Sequence, residues 1–112
     1  MQLLTIEQLR SHCRADPSDD DLLTVYAEAA EQAAQDFLNR KVYPDVETMA
    51  EAVEDGTAGD DPAVLNPAIR AAILLTAAHL YRNREGVGSE QLRELPMGVH
   101  QLLWPHRVGL GI

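Results

Sequence analysis

Apolar residues along this chain recur at intervals of three and four, and that spacing predicts helices. The pattern is densest between Asn66 and Gly86, NPAIRAAILLTAAHLYRNREG. Ile69, Ala72, Ile73, Thr76 and Leu80 mark one face, while Ala71, Leu74, Leu75, Ala78 and Tyr81 fill the flank. The stretch carries its own boundaries. Asn66 can accept a hydrogen bond from the first turn, Pro67 suits the first helical position, and Gly86 suits a left-handed exit. A helix over 67–85, roughly 28 Å long, is predicted. Apolar atoms surround most of its middle, so it is expected to be a buried central strut.

Upstream, Thr5 to Arg14 reads as a short first helix. Thr5 and Gln8 have capping-box spacing, Leu4 can staple against Leu9, and Ile6, Leu9 and Cys13 supply the apolar face. Asp16 as cap and Pro17 as first residue then open a long helix over 17–39. Leu22, Tyr26, Ala29, Ala33 and Phe37 form one row in it, and Leu23, Ala27, Ala30, Ala34 and Leu38 the adjacent row. Thr24, Glu28, Glu31, Gln32, Gln35 and Asn39 are expected outside. The run Asp19 to Asp21 sits where the helix dipole favours negative charge, and it lacks the glycine and closing glutamate of a calcium loop.

Residues 40–66 change character. Val46, Met49, Ala50 and Val53 keep helical spacing, which supports a short helix over 46–54, while GTAGDDP reads as a mobile acidic loop. After Gly86 a last short helix is predicted over 96–104, opened by Pro96, with Val99, Leu102 and Leu103 as its apolar side and Pro105 as its stop. The tail RVGLGI is extended, and its apolar Val108, Leu110 and Ile112 either dock on a neighbour or pack back on their own helices. The fold class that follows is all-α: one domain over 1–112, a small bundle of about four helices with a long central helix, an acidic loop and an extended C-terminal tail.

Composition narrows the function. Apolar residues make up 46% of the chain and aromatics only 4%, so the core must come mainly from Leu, Ile, Val and Ala. The net charge of −9 is unevenly placed: residues 17–66 carry −11, residues 67–112 carry +2, and residues 1–16 are neutral. An acidic chain gains nothing from counterion release on DNA, which disfavours tight nucleic-acid binding as its task. The single cysteine, Cys13, excludes an internal disulfide and fits a reducing compartment. No apolar run approaches the ~18 residues needed to cross a bilayer, and MQLLTIEQLR lacks a signal peptide's basic start, so a soluble protein with no membrane partner is expected.

No catalytic, metal or cofactor-binding constellation is found. His12, His79, His100 and His106 share no ligand spacing, and HExxH, CxxC, nucleophile-elbow and phosphate-loop motifs do not occur. No catalytic role is therefore assigned to any residue.

The order HLYRNREGV followed by LPMGVHQLLWPHRV resembles the small head-tail connector (adaptor) proteins of long-tailed bacteriophages and related prophages. The opening LTIEQLRSHCRADPSDDDLLTVYAEAAEQAAQDFLNRKVY and the segment TAGDDPAVLNPAIRAAILLTAAHLY are similar to the same family, so the resemblance covers nearly the whole chain. The chain departs from the usual pattern at Trp104 and His106, where smaller and tyrosine-like residues are common. The resemblance implies a non-enzymatic virion protein at the head-tail interface, made in the host bacterial cytoplasm. It implies a ring of roughly a dozen copies beneath the portal protein, extending the DNA channel and offering a platform for a stopper or tail-completion protein. Double-stranded DNA would pass through without sequence-specific binding. Carried onto this chain, it places subunit or portal contacts at Tyr81, Arg82, Arg84, Leu95, Pro96, Val99, Leu103, Trp104, Arg107 and Val108, with Leu110 and Ile112 in the tail. Leu103 equally suits an ordinary core, and Trp104 either anchors a partner or lids the core. The rival reading is a small acidic helical regulatory module that binds one partner.

Overall fold

The first turn of the chain's first helix is closed by its own side chains. Gln8 N donates to Thr5 Oγ1 at 3.2 Å and Thr5 N donates to Gln8 Oε1 at 3.0 Å, a complete capping box for α1, Ile6–Cys13. Arg14 leaves the helix in the left-handed region at φ 54°. The computed structural model describes residues 3–82 and 97–108. Asp16 is extended and makes no side-chain cap bond, and Pro17–Asp19 form a 3₁₀ turn, so α2 proper runs Asp20–Leu38. Its start is tied to α1: Arg10 Nε donates to Asp20 Oδ1 at 2.8 Å, and Arg10 Nη2 pairs with Oδ2. That bond to Arg10 holds the Asp20 carboxyl below its ordinary range.

Two further elements follow that periodicity does not announce. Val42–Tyr43 (β1) and Ala63–Val64 (β2) pair in parallel, with Val42 opposite Ala63 and Tyr43 opposite Val64. Between them runs α3, Val46–Asp55, capped by Asp45, whose Oδ1 accepts from Thr48 N at 2.7 Å. The helix exits through Gly56 at φ 75° with no atom near a would-be Cβ, so backbone conformation and not space favours glycine there. Helix α4, Pro67–Arg82, starts with Ile69 N donating to Asn66 Oδ1 at 2.9 Å. Helix α5, Met97–Leu103, runs into a second 3₁₀ turn, Trp104–His106, which contains Pro105. The continuation of the central helix over 83–86 and the opening Pro96 lie outside the described residues.

Helix α4 is the central element, packed on α1, α2 and α5. Ile69, Ala72, Ile73, Thr76 and Leu80 are all buried, the face that the spacing selects. The buried Thr76 hydroxyl donates to Ala72 O at 2.8 Å, which satisfies it within the helix. Of the two rows on α2, the one with Leu23, Ala27, Ala30, Ala34 and Leu38 is buried, while Leu22, Tyr26, Ala29, Ala33 and Phe37 are only partly covered. Alanines at 27, 30 and 34 face the same core as Ala72 and Ala77 of α4. Small side chains on both helices let their backbones approach closely. The architecture is all-α with a minimal two-stranded ladder as an appendage.

Two local expectations change. Glu31 is not on the outside: it is 7% exposed because its Oε2 accepts from Leu3 N at 3.0 Å and Leu4 N at 3.2 Å. The chain start has no helix or strand to satisfy those amides, and the carboxylate reaches them. Residues 56–62 are not a loose loop. Thr57 N donates to Ala52 O at 2.9 Å, Lys41 Nζ to Thr57 O at 3.1 Å, and Tyr43 Oη to Ala58 O at 3.3 Å. Arg40 adds bonds to Asp61 O at 2.8 Å and Pro62 O at 3.2 Å. Two basic residues thus gather an acidic turn by its carbonyls, a role that composition conceals.

The cap on α3 yields a prediction. The Thr48 amide holds the Asp45 carboxyl below its ordinary value of 3.8. A carboxylate with a lowered folded pKa contributes its full stabilisation above the ordinary value and loses it as pH falls through the folded one. Asp45→Ala is expected to fray the first turn of α3 at neutral pH, with Asp45→Ser restoring most of it. In the unaltered chain, protection of the Thr48 amide relative to a free peptide should persist through mildly acidic pH and be lost only below the ordinary carboxylate range. NMR hydrogen exchange checks both; a Thr48 amide indifferent to the Ala substitution contradicts the capping role.

Candidate functional site

Helix α2 separates the candidate residues into two places, one at each end. At its N-terminal end, Tyr81 Oη donates to Asp19 Oδ2 at 2.5 Å, which pins the last described turn of α4 to the 3₁₀ turn before α2. Arg82 beside it is exposed, and Cys13 is close enough to feel its charge. Burial pushes the Cys13 thiol up, and Arg82 offsets only part of that, so this cysteine is a poor nucleophile.

The other place is the C-terminal end of α2, about 27 Å away along the helix axis. A helix ends with carbonyls that have no partner of their own. Here the residues after α5 supply them. Arg107 Nε donates to Phe37 O at 2.9 Å and Val108 N donates to Leu38 O at 3.0 Å. Asn39, left-handed at φ 57°, returns a bond from its Nδ2 to Val108 O at 3.2 Å, and Arg40 Nη1 donates to His106 O at 3.1 Å. The described part of the tail packs on its own helix.

Above these bonds sits an aromatic and cationic cluster. The Phe37 and His100 rings stack at 5.2 Å with 3° between planes, and Trp104 lies 6.3 Å from Phe37 at 47°. The Arg107 guanidinium carbon is 5.3 Å from the Phe37 ring centre and 5.5 Å from that of Trp104, within cation–π range of both. Trp104 remains 61% exposed. Its indole is therefore no lid over the core: it is a large flat apolar surface held in place and offered to solvent. Such a residue is the kind that anchors a partner.

The structure brings Trp104, Arg107 and Val108 together and keeps Tyr81 and Arg82 apart from them. Val99 and Leu103 are 1% and 0% exposed, inside the core, so their side chains offer a partner no surface. Arg84, Leu95, Pro96, Leu110 and Ile112 lie outside the described residues. Phe37, which spacing places in a row of α2, and His100 also belong to the cluster, and neither is among the residues that the family resemblance marks. The one available signal was that Phe37 is the only phenylalanine in an aromatic-poor chain.

An open cleft of about 810 Å³ lies between the C-terminal half of α2 and the α3 region, lined by Gln35, Asp36, Asn39, Arg40, Lys41 and Tyr43 among others. Its cations are already spent on backbone carbonyls. Its walls mix polar and apolar atoms and it is open to solvent, unlike the apolar enclosure of a small-molecule site. Among the described residues no group of three or more His, Cys, Asp or Glu side chains could hold a metal ion. No helix among them is long and apolar enough to cross a membrane.

Several other apolar side chains are exposed at single positions. Val25, Val46, Val53 and Leu75 are 62%, 64%, 56% and 40% exposed in turn. Together with Trp104 they are spread over several helices.

Compared with known proteins, residues 3–107 match the family model described as phage gp6-like head-tail connector protein. Neither the curated proteins nor the solved structures give a match.

Proposed function

The chain belongs to the phage gp6-like head-tail connector family, and from that premise we propose that it is a ring-forming structural subunit of the virion neck. Copies assemble head to tail into a closed ring beneath the portal protein, extend the DNA channel and seat a stopper or tail-completion protein. The observation that carries this reading is the family match over residues 3–107, which takes in every described element. The surface supports it. Unlike charge on the two halves and exposed apolar side chains on several helices suit heterologous contacts, which close into a ring when the rotation permits. The exposed carboxylates Asp21, Glu28 and Asp36 along one side of α2 give a wall that repels phosphate. Such a wall facing the channel lets DNA pass without sticking. Trp104, steadied by Arg107 and Phe37, is the proposed anchor for the portal or the next subunit.

Light scattering and electron microscopy of the protein alone and mixed with its portal test this reading. Rings of roughly a dozen copies are expected in at least one of the two conditions. Trp104→Ala is expected to leave the melting temperature nearly unchanged, because the side chain is largely exposed, and to weaken ring or portal association by about ten-fold or more. A protein that stays monomeric or dimeric in both conditions, or a virion complete and infectious without it, contradicts the proposal and favours a regulatory binding module.

A further inference from the structure

Arg40, the second residue past the end of α2, joins two turns that are far apart in the chain. Its Nε donates to Asp61 O at 2.8 Å and its Nη2 to Pro62 O at 3.2 Å, 21 and 22 positions ahead. Its Nη1 donates to His106 O at 3.1 Å, 66 positions ahead. The first two carbonyls belong to the acidic turn that leads into β2, and the third ends the 3₁₀ turn that carries Trp104. Helix packing contributes little to this junction: α3 packs on β1 and β2, and the Trp104 turn packs on α5.

A guanidinium is planar and rigid, so its N–H groups fix the directions of all three acceptors at once, which a single ammonium cannot do. A shift of Asp61 O and Pro62 O therefore turns the same plane that holds His106 O. Trp104 stands two residues before that carbonyl, and its own carbonyl accepts from Arg107 N at 3.2 Å. A backbone shift at His106 thus reaches both the indole and the guanidinium that packs on it.

We propose that Arg40 is a positioning residue for Trp104: it sets the 3₁₀ turn against the acidic turn, so that the conformation of residues 56–62 governs how the indole is presented. The inference deepens the reading of Trp104 as an anchor and rests on it only for what the indole binds. The link itself belongs to a single subunit and is measurable without a partner.

Trp104 is the only tryptophan of the chain, so intrinsic fluorescence reads its mobility directly. Arg40→Lys keeps the charge and removes the fork. It is expected to lower the fluorescence anisotropy of Trp104 and to increase its quenching by acrylamide. Lys41→Met with Tyr43→Phe releases Thr57 O and Ala58 O at the other end of the acidic turn and removes no bond to Arg40 or to the Trp104 turn. This pair is expected to lower the anisotropy in the parent and to add nothing in the Arg40→Lys background, where the path is already cut. Melting curves establish that each chain is folded at the temperature of measurement. Should Arg40→Lys not fold, the Lys41 and Tyr43 pair decides alone, because a loosened acidic turn must still reach the indole. With portal or further copies, Arg40→Lys is expected to weaken association by about three- to ten-fold, the scale of ordering one side chain on binding. An indole unmoved by Arg40→Lys, or unmoved by the pair in the parent, overturns the proposal, and so do effects that simply add. A loosened indole with undiminished association upholds the link and removes Trp104 as the anchor.

Discussion

Ile73→Ala is expected to lower the unfolding free energy by about 2–5 kcal/mol, the usual cost of emptying a fully enclosed aliphatic site. Ile73 is 0% exposed at the middle of α4, in the same core as Leu9, Leu23, Leu38, Val99 and Leu103 from three other helices. Alanines already line much of this core, so few long neighbours stand ready to swing into the space. Leu75→Ala, two positions along the same helix, is the control. Leu75 is 40% exposed, and its truncation should cost about 1 kcal/mol or less. Urea unfolding of both variants decides: equal losses would mean that the buried face of α4 is misassigned. A chain of this size has only about 5–15 kcal/mol to lose, so Ile73→Ala should also shrink the folded population visibly near the melting temperature.

Glu31→Ala is expected to cost about 2–4 kcal/mol. The carboxylate is 7% exposed and accepts the amides of both Leu3 and Leu4, whose side chains are 6% and 5% exposed. Removing it leaves those amides buried with no acceptor, a penalty larger than the net worth of the bonds themselves. Glu31→Gln keeps one oxygen acceptor in nearly the same place and should lose less than half as much. Hydrogen exchange at Leu3 and Leu4 gives an independent readout, because both amides should become fast in the alanine variant while those of α4 follow only the global change. Unchanged stability in Glu31→Ala would show that the N-terminal strap is held by its leucines alone.

The two residues illustrate different degrees of legibility. Ile73 sits in a row with Ile69, Thr76 and Leu80, and a helix repeats every 3.6 residues, so its burial could be read directly. Glu31 interrupts no such row. By composition it belongs among the polar residues of α2, and donors 28 and 27 positions earlier in the chain draw it inside. The same distinction applies to the candidate contacts. Arg107 could be singled out from the order of residues around the prolines, because that order resembles a family, and Trp104 stands within the same segment as a departure from the family's usual pattern. Phe37 and His100 could not, because their stacking depends on α5 returning to the far end of α2. Val99 and Leu103 show the reverse: the resemblance marks them, and packing consumes them.

Residues 40–66 mark the boundary most clearly. Helical spacing from Val46 to Val53 sufficed to predict α3, and Asp45 and Gly56 supply its ends. Nothing local told whether the apolar stripe would be covered. That was settled by the ladder, where Ala63 N donates to Lys41 O at 2.9 Å and Leu65 N to Tyr43 O at 2.8 Å. A pair of two-residue strands is too short to leave a periodic signature, yet it sets α3 against the ladder and away from the bundle.

By itself, then, the order of amino acids determined the helices, most of their caps, the buried side of α4, the imbalance of charge and the likeness to connector proteins, since each is written within a few turns of chain or across its whole length. Tertiary structure alone decided which polar groups went inside, which apolar ones stayed out and which side chains meet at the ends of α2. Those outcomes rest on bonds such as Arg107 to Phe37, 70 positions apart, and no local periodicity carries information over that distance.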